Sequence, residues 1–93
     1  MSTEPIDLTA VYYGNRNIAR AAELAQEEAF HAIGKFKPFN SSHEGFAVLK
    51  EEVDELWEEI KRNNIEGARR EAIQVAAMAL RFIAEIPTRK EEP

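Results

Sequence analysis

The sequence predicts an all-α protein: an antiparallel bundle of three main helices, completed as a four-helix-type bundle when copies of the chain associate. Three observations carry that expectation. Apolar residues recur at three-to-four spacing along three stretches, and no run alternates strictly between apolar and polar as a strand would. Pro5, Pro38 and Pro87 fall near the ends or inside a break, so none interrupts a periodic stretch. The 93 residues are one domain's worth, too few for two separate cores.

The first helix is expected from about Asn15 to Ile33. Its stripe of Ile18, Ala22, Ala25, Ala29 and Ile33 is mostly alanine, which lets a neighbour approach closely, and Gly34 offers a stop. On a helical wheel centred on Ile18, Glu28 and His31 point away from that stripe. Glu28-Ala29-Phe30-His31 therefore reads as a solvated pair in preference to half of a di-iron site.

The second helix starts at Ser41 or Ser42, where Ser41-Ser42-His43-Glu44 has the Ser-x-x-Glu form of a capping box. It runs to about Arg62 with Phe46, Leu49, Val53, Leu56 and Ile60 on one face. A short break at Asn63-Asn64-Ile65-Glu66-Gly67 makes the next helix an antiparallel neighbour, and Asn63 with Glu66 suggests a second capping box. The third helix covers about Glu66 to Ile86, with Ala68, Ala72, Val75, Ala79, Phe82, Ile83 and Ile86 inward and Pro87 as its stop. Residues 1–7 and 88–93 read as flexible ends of the single domain. Such a thin core favours a homodimer or homotetramer.

Charge and composition narrow the function classes. Twelve basic against 17 acidic residues give a net charge of −5, which argues against a nucleic-acid backbone or an anionic membrane as partner. The absence of cysteine removes disulfides, thiolate metal sites and cysteine nucleophiles. With no membrane-length apolar run and no export signal visible at the start, a cytoplasmic protein is expected.

The chemistry concentrates on the second and third helices. Glu51, Glu52, Asp54, Glu55, Glu58 and Glu59 form an acidic run whose ordinary explanation is a solvated face. Helical geometry separates them: Glu52, Glu55 and Glu59 border the apolar face, while Glu51, Asp54 and Glu58 turn toward water. On the third helix Glu71 and Gln74 border the core in the same way. Two antiparallel helices can bring these groups together as an oxygen-rich cluster, and oxygen ligands without His or Cys select Mg²⁺ first and Mn²⁺ next.

Glu51-Glu52-Val53-Asp54-Glu55, followed after 15 residues by Glu71-Ala72-Ile73-Gln74, resembles the E-E-x-x-E … E-x-x-D pattern of the MazG-like all-α nucleoside triphosphate pyrophosphohydrolases. The similarity extends from Phe39-Asn40-Ser41-Ser42-His43-Glu44-Gly45 to Ile86, about half the chain. The resemblance implies Mg²⁺-dependent hydrolysis of a (deoxy)nucleoside triphosphate to the monophosphate and pyrophosphate, in a homo-oligomer. Position by position, Glu52 and Glu55 match the metal-binding glutamates of the first motif, Glu71 the first acid of the second, and Glu51 the additional acid. Gln74 departs from the pattern, because an amide brings no negative charge and takes no proton. Its carbonyl can still coordinate Mg²⁺, so the site would either hold the metal more weakly or lean on Glu59 or Glu85 for the missing charge. The rival reading is an acidic helical module that keeps the fold, serves interaction or assembly, and has weak chemistry or none.

Substrate contacts are less sharply marked. Arg81 and Lys50 are candidates to steady a polyphosphate, against the commoner role of solvated cations. His43 and Asn40, near the capped start of the second helix, are weaker candidates. Tyr12, Tyr13, Phe36 and Phe39 suit packing over the open end of the bundle better than stacking on a base, and Trp57 suits packing or a subunit contact.

Overall fold

Four polar side chains start four helices. Asp7 Oδ1 accepts from the N–H groups of Thr9 and Ala10, each at 3.1 Å, and opens α1, Leu8–Tyr13. Asn15 Oδ1 accepts from Ile18 N–H at 3.2 Å and opens α2, Arg16–Lys35. Ser41 Oγ accepts from Glu44 N–H at 3.2 Å at the head of α3, Ser42–Lys61. Asn64 Oδ1 accepts from Gly67 N–H at 3.1 Å at the head of α4, Ile65–Glu85. Each such cap contributes about 1 kcal/mol by satisfying an amide the helix leaves free. The computed structural model describes residues 5–86, and among them there is no strand. None of these helices is long and apolar enough to cross a membrane.

Several expectations are corrected at the helix ends. Asp7 is a cap, and α1 is an element the apolar periodicity did not reveal. α2 passes through Gly34 and ends at Lys35. The cap of α4 is Asn64, not Asn63 with Glu66. Asn63 instead adopts the left-handed conformation, φ 58°. The N–H groups of Asn63 and Asn64 then return to the carbonyls of Ile60 and Glu59, each at 3.0 Å, which closes α3 as a Schellman motif. At the start of α3 the capping box is shifted: Glu44 reaches back to Asn40 N–H at 2.9 Å. Pro87 and residues 88–93 lie outside the described residues.

α4 is the central element. α3 packs along it in the opposite sense, with Gly45 near Phe82 and Glu59 near Asn64. α2 packs on α4 in the same sense, with Glu28 reaching Gln74 and Lys37 reaching Arg81. α2 and α3 do not pack directly on one another. The α3 contact is close because Gly45 has no side chain: a Cβ there would sit 2.7 Å from the Phe82 ring and 3.2 Å from Phe39.

The buried apolar core consists of Ala25, Ala29, Ala32, Phe39, Ala77 and Met78, with Val48, Leu49, Phe82 and Ile86 packed against it. Ile18, Ile33, Phe46, Val53, Ile60 and Ile83, all expected inward, are exposed. The apolar arc of each helix is wider than one chain covers. α3 turns the glutamate edge of its stripe, with Gly45, Glu52, Leu56 and Glu59, toward α4. Tyr12 and Tyr13 stack edge to face on each other with centroids 5.3 Å apart and stay exposed, so they do not close the bundle's end.

Arg81 joins α4 to the segment between α2 and α3. It is 3% exposed. Its Nε and Nη2 donate to Glu85 Oε2 and Oε1 at 2.9 and 3.1 Å, and Nη2 donates also to the Lys37 carbonyl at 3.2 Å. Its guanidinium lies 4.2 Å from the centre of the Phe39 ring, and Glu85 Oε1 accepts from Phe39 N–H at 2.8 Å. The carboxyl of Glu85 is held below its ordinary pKa chiefly by the hydrogen bonds from Arg81. Arg81 is thus not a solvated cation: Nε and Nη2 are engaged by Glu85 and the Lys37 carbonyl, while Nη1 has only Met78 Sδ at 3.8 Å, and the residue lines a cavity beside α4.

Candidate metal centre

Glu52 and Glu55 stand one turn apart on α3, and Glu71 stands opposite them on α4. One carboxylate oxygen of each lies within 4.8 Å of the other two. The antiparallel α3–α4 pairing sets this register: the close approach at Gly45 and the turn at Asn63 fix both ends of the hairpin, and the three acids fall between them.

Three carboxylates this close repel one another. Burial, followed by the charges of Glu55 and Glu71, pushes the pKa of Glu52 from 4.5 up to about 7. Burial and then the neighbouring Glu55 raise that of Glu71 as well. Among the described residues the ion pairs of the basic side chains are made with other acids: Lys50 with Asp54, Lys61 with Glu58, Arg62 with Glu59 and Arg81 with Glu85. Oε2 of Glu71 is buried and has no hydrogen-bond partner, a costly state for a carboxylate oxygen. An all-oxygen donor set with one unpartnered buried oxygen and no neutralising cation fits a hard divalent ion.

The remaining candidates divide. Gln74 Nε2 donates to Glu28 Oε2 at 2.9 Å, which leaves its carbonyl oxygen as the one atom able to ligate a metal. Glu51 is exposed and stands outside the cluster. Glu59 is held by Arg62 and Asn64 and Glu85 by Arg81 and Phe39, so neither is free to replace the missing charge at Gln74. Lys50 pairs with Asp54 at 2.9 Å on the exposed side of α3. His43 is exposed in the first turn of α3, and neither Lys50 nor His43 lines the cavity beside the cluster.

That cavity has a volume of about 660 Å³ and opens between α2, the segment leading into α3, and α4. Asn40 lines it, held by Glu44, and Glu52 forms part of its wall next to the cluster. Glu28, His31, Lys35 and Lys37 line it as well, and the sequence reading placed none of them there. The available signal was the wheel of α2: centred on the buried Ala25, Ala29 and Ala32 instead of Ile18, it brings Glu28 to the edge of the inward face. Trp57 is exposed on α3, with Lys61 Nζ 5.9 Å from the centre of its ring.

Compared with known protein families, curated proteins and solved structures, the chain matches none of them.

Proposed function

We propose that the protein is a metal-dependent nucleoside triphosphate pyrophosphohydrolase of MazG-like type, acting on cytoplasmic nucleotides as a homodimer or homotetramer. The observation that carries this reading is the convergence of Glu52, Glu55 and Glu71 on one point beside a cavity of about 660 Å³, a volume within the range of small-molecule sites. The paired acidic motifs that resemble that family supply the same three residues.

In this reading Glu52, Glu55 and Glu71 hold Mg²⁺, with Mn²⁺ as substitute. The ion supplies charge neutralisation at the phosphate oxygens and a water of lowered pKa. Glu71, with its unpartnered Oε2, anchors the site from α4, and Glu52 anchors it from α3. Glu55 gives one oxygen to the cluster and, exposed at the rim, has its second oxygen assigned to accept the proton of the attacking water. Glu51 has no part in this step. The cavity receives the nucleoside. The test is pyrophosphate release from a panel of NTPs and dNTPs with Mg²⁺ or Mn²⁺, expected in the wild type and lost in Glu52→Gln.

Self-association is part of the same proposal. Among the described residues, four of the six buried apolar side chains are alanines, a small core for a stable monomer. Phe46, Val53, Trp57 and Ile60 on α3, and Phe30 and Ile83 on α2 and α4, remain exposed. A second copy covers these faces. Sedimentation is expected to give a dimer or tetramer for the wild type and a shift toward monomer for Ile83→Glu. A wild-type monomer at micromolar concentration would remove this part.

One observation favours the rival reading, an acidic module with weak chemistry or none. The amide of Gln74 is engaged by Glu28 and brings no fourth charge to the site. Absence of turnover on every nucleotide, together with no metal-dependent change in melting temperature, would leave that reading standing.

A further inference from the structure

We infer that the exposed apolar stripe of α3 docks the same stripe of a second copy of this chain, the two α3 helices lying antiparallel about a two-fold axis at Val53. The inference rests on the self-association proposed above and adds the surface and the orientation.

The rotation of α3 creates the stripe. With Gly45, Glu52, Leu56 and Glu59 turned toward α4, Phe46, Val53, Trp57 and Ile60 are left 60%, 43%, 56% and 45% exposed. On a helical wheel these four lie within about 40° of Phe46, whereas the group facing α4 lies about 80–140° round from it. Among the described residues α3 packs on α4 alone, so no other helix of the chain covers the stripe. Large apolar side chains in a continuous line on one helix mark a contact surface, unlike single ones scattered over a protein.

The order of the residues identifies the partner. An interface with two-fold symmetry must be complementary to itself. Phe46, Leu49, Val53, Trp57 and Ile60 follow one another at intervals of three, four, four and three residues, which read the same in both directions. Turned about an axis at Val53, Phe46 comes level with Ile60 of the second copy, Leu49 with Trp57, and Val53 with Val53. Each apolar side chain then meets another.

The charges agree with this orientation. Lys50 and Asp54 border the stripe on the edge away from α4 and are paired within the chain at 2.9 Å. An antiparallel two-fold sets this edge against its own reverse. Lys50 of each copy then comes within about 3 Å, measured along the helix axis, of the level of Asp54 of the other. The two ion pairs join as charges of alternating sign beside the apolar seam.

The chain has one tryptophan and no cysteine, so single substitutions report on the seam directly. Oxidation is expected to link Val53→Cys into a disulfide dimer, because the two thiols meet at the axis. Glu58→Cys, exposed on α3 but outside the stripe, is expected to remain unlinked. Diluting the wild type should move Trp57 emission to longer wavelength as the dimer dissociates. Val53→Asp sets two like charges at the axis and should raise the dissociation constant by roughly 100-fold or more. Its helical circular dichroism should be unchanged, since Val53 lies outside the core. A wild-type dimer in which Val53→Cys fails to link and Val53→Asp dissociates no more readily overturns the inference, leaving self-association to the α2–α4 side. A wild-type monomer overturns both.

Discussion

Glu52→Gln is expected to abolish metal-dependent pyrophosphate release, by at least about 100-fold in kcat/KM, while raising the melting temperature of the metal-free protein above pH 7. The catalytic loss follows from removing a ligand, since changing even the groups that support metal ligands costs roughly 10–100-fold. The gain in stability follows from the repulsion the wild type carries. With its pKa raised from 4.5 to about 7, folded Glu52 keeps a proton that the unfolded chain releases. The proton-linked stability is fully present below pH 4.5 and is lost as pH rises through about 7. A neutral amide removes that loss. Discounted for solvent screening, the effect is on the order of 1–2 kcal/mol, or a few degrees in Tm. Mg²⁺ should raise the Tm of the wild type at pH 8 and leave Glu52→Gln unmoved. Wild-type activity in Glu52→Gln would contradict this assignment.

Arg81→Met is expected to cost about 3–5 kcal/mol in urea unfolding, the range for breaking a buried ion pair on one side. The substitution keeps the length of the side chain but leaves Glu85 charged and largely buried, and it releases the Lys37 carbonyl and the face of Phe39. Because Arg81 lowers the pKa of Glu85, the pair contributes stability above the ordinary carboxylate pKa of 4.5 that is lost as pH falls through the lowered value. Arg81→Met should lose that acid-side dependence. The double variant Arg81→Met with Glu85→Gln should recover part of the stability, since no uncompensated charge is left. A loss below about 1 kcal/mol in the single variant would mean that the cation is in effect solvated.

Much of the helical plan was legible because it depends on local chemistry. Ser41 and Glu44 announced the start of α3, and the Asn-rich turn after Arg62 announced a hairpin. Glu52, Glu55 and Glu71 were legible because three-residue spacing and the antiparallel hairpin suffice to place them together. The rotation of the helices was not. Apolar arcs on α3 and α4 are wide enough for several inward faces, and the choice among them depends on where small residues allow backbones to meet. Gly45 and Ala77 decide it, and they leave Phe46 and Ile83 outside. Glu28 and Arg81 were misplaced for the same reason. A charged residue at the edge of an apolar face is buried only if a distant group answers it. Gln74 on α4 gives that answer to Glu28; for Arg81 the distant groups are the Lys37 carbonyl and the Phe39 ring, Glu85 lying one turn away on the same helix.

Crystals grown with Mn²⁺ and measured for its anomalous scattering examine the cluster itself, independently of turnover. A single anomalous peak is expected within coordination distance of oxygens from Glu52, Glu55 and Glu71, absent from crystals of Glu52→Gln. Saturating Mn²⁺ with no peak there, or the same peak surviving in Glu52→Gln, would contradict a shared ion between α3 and α4.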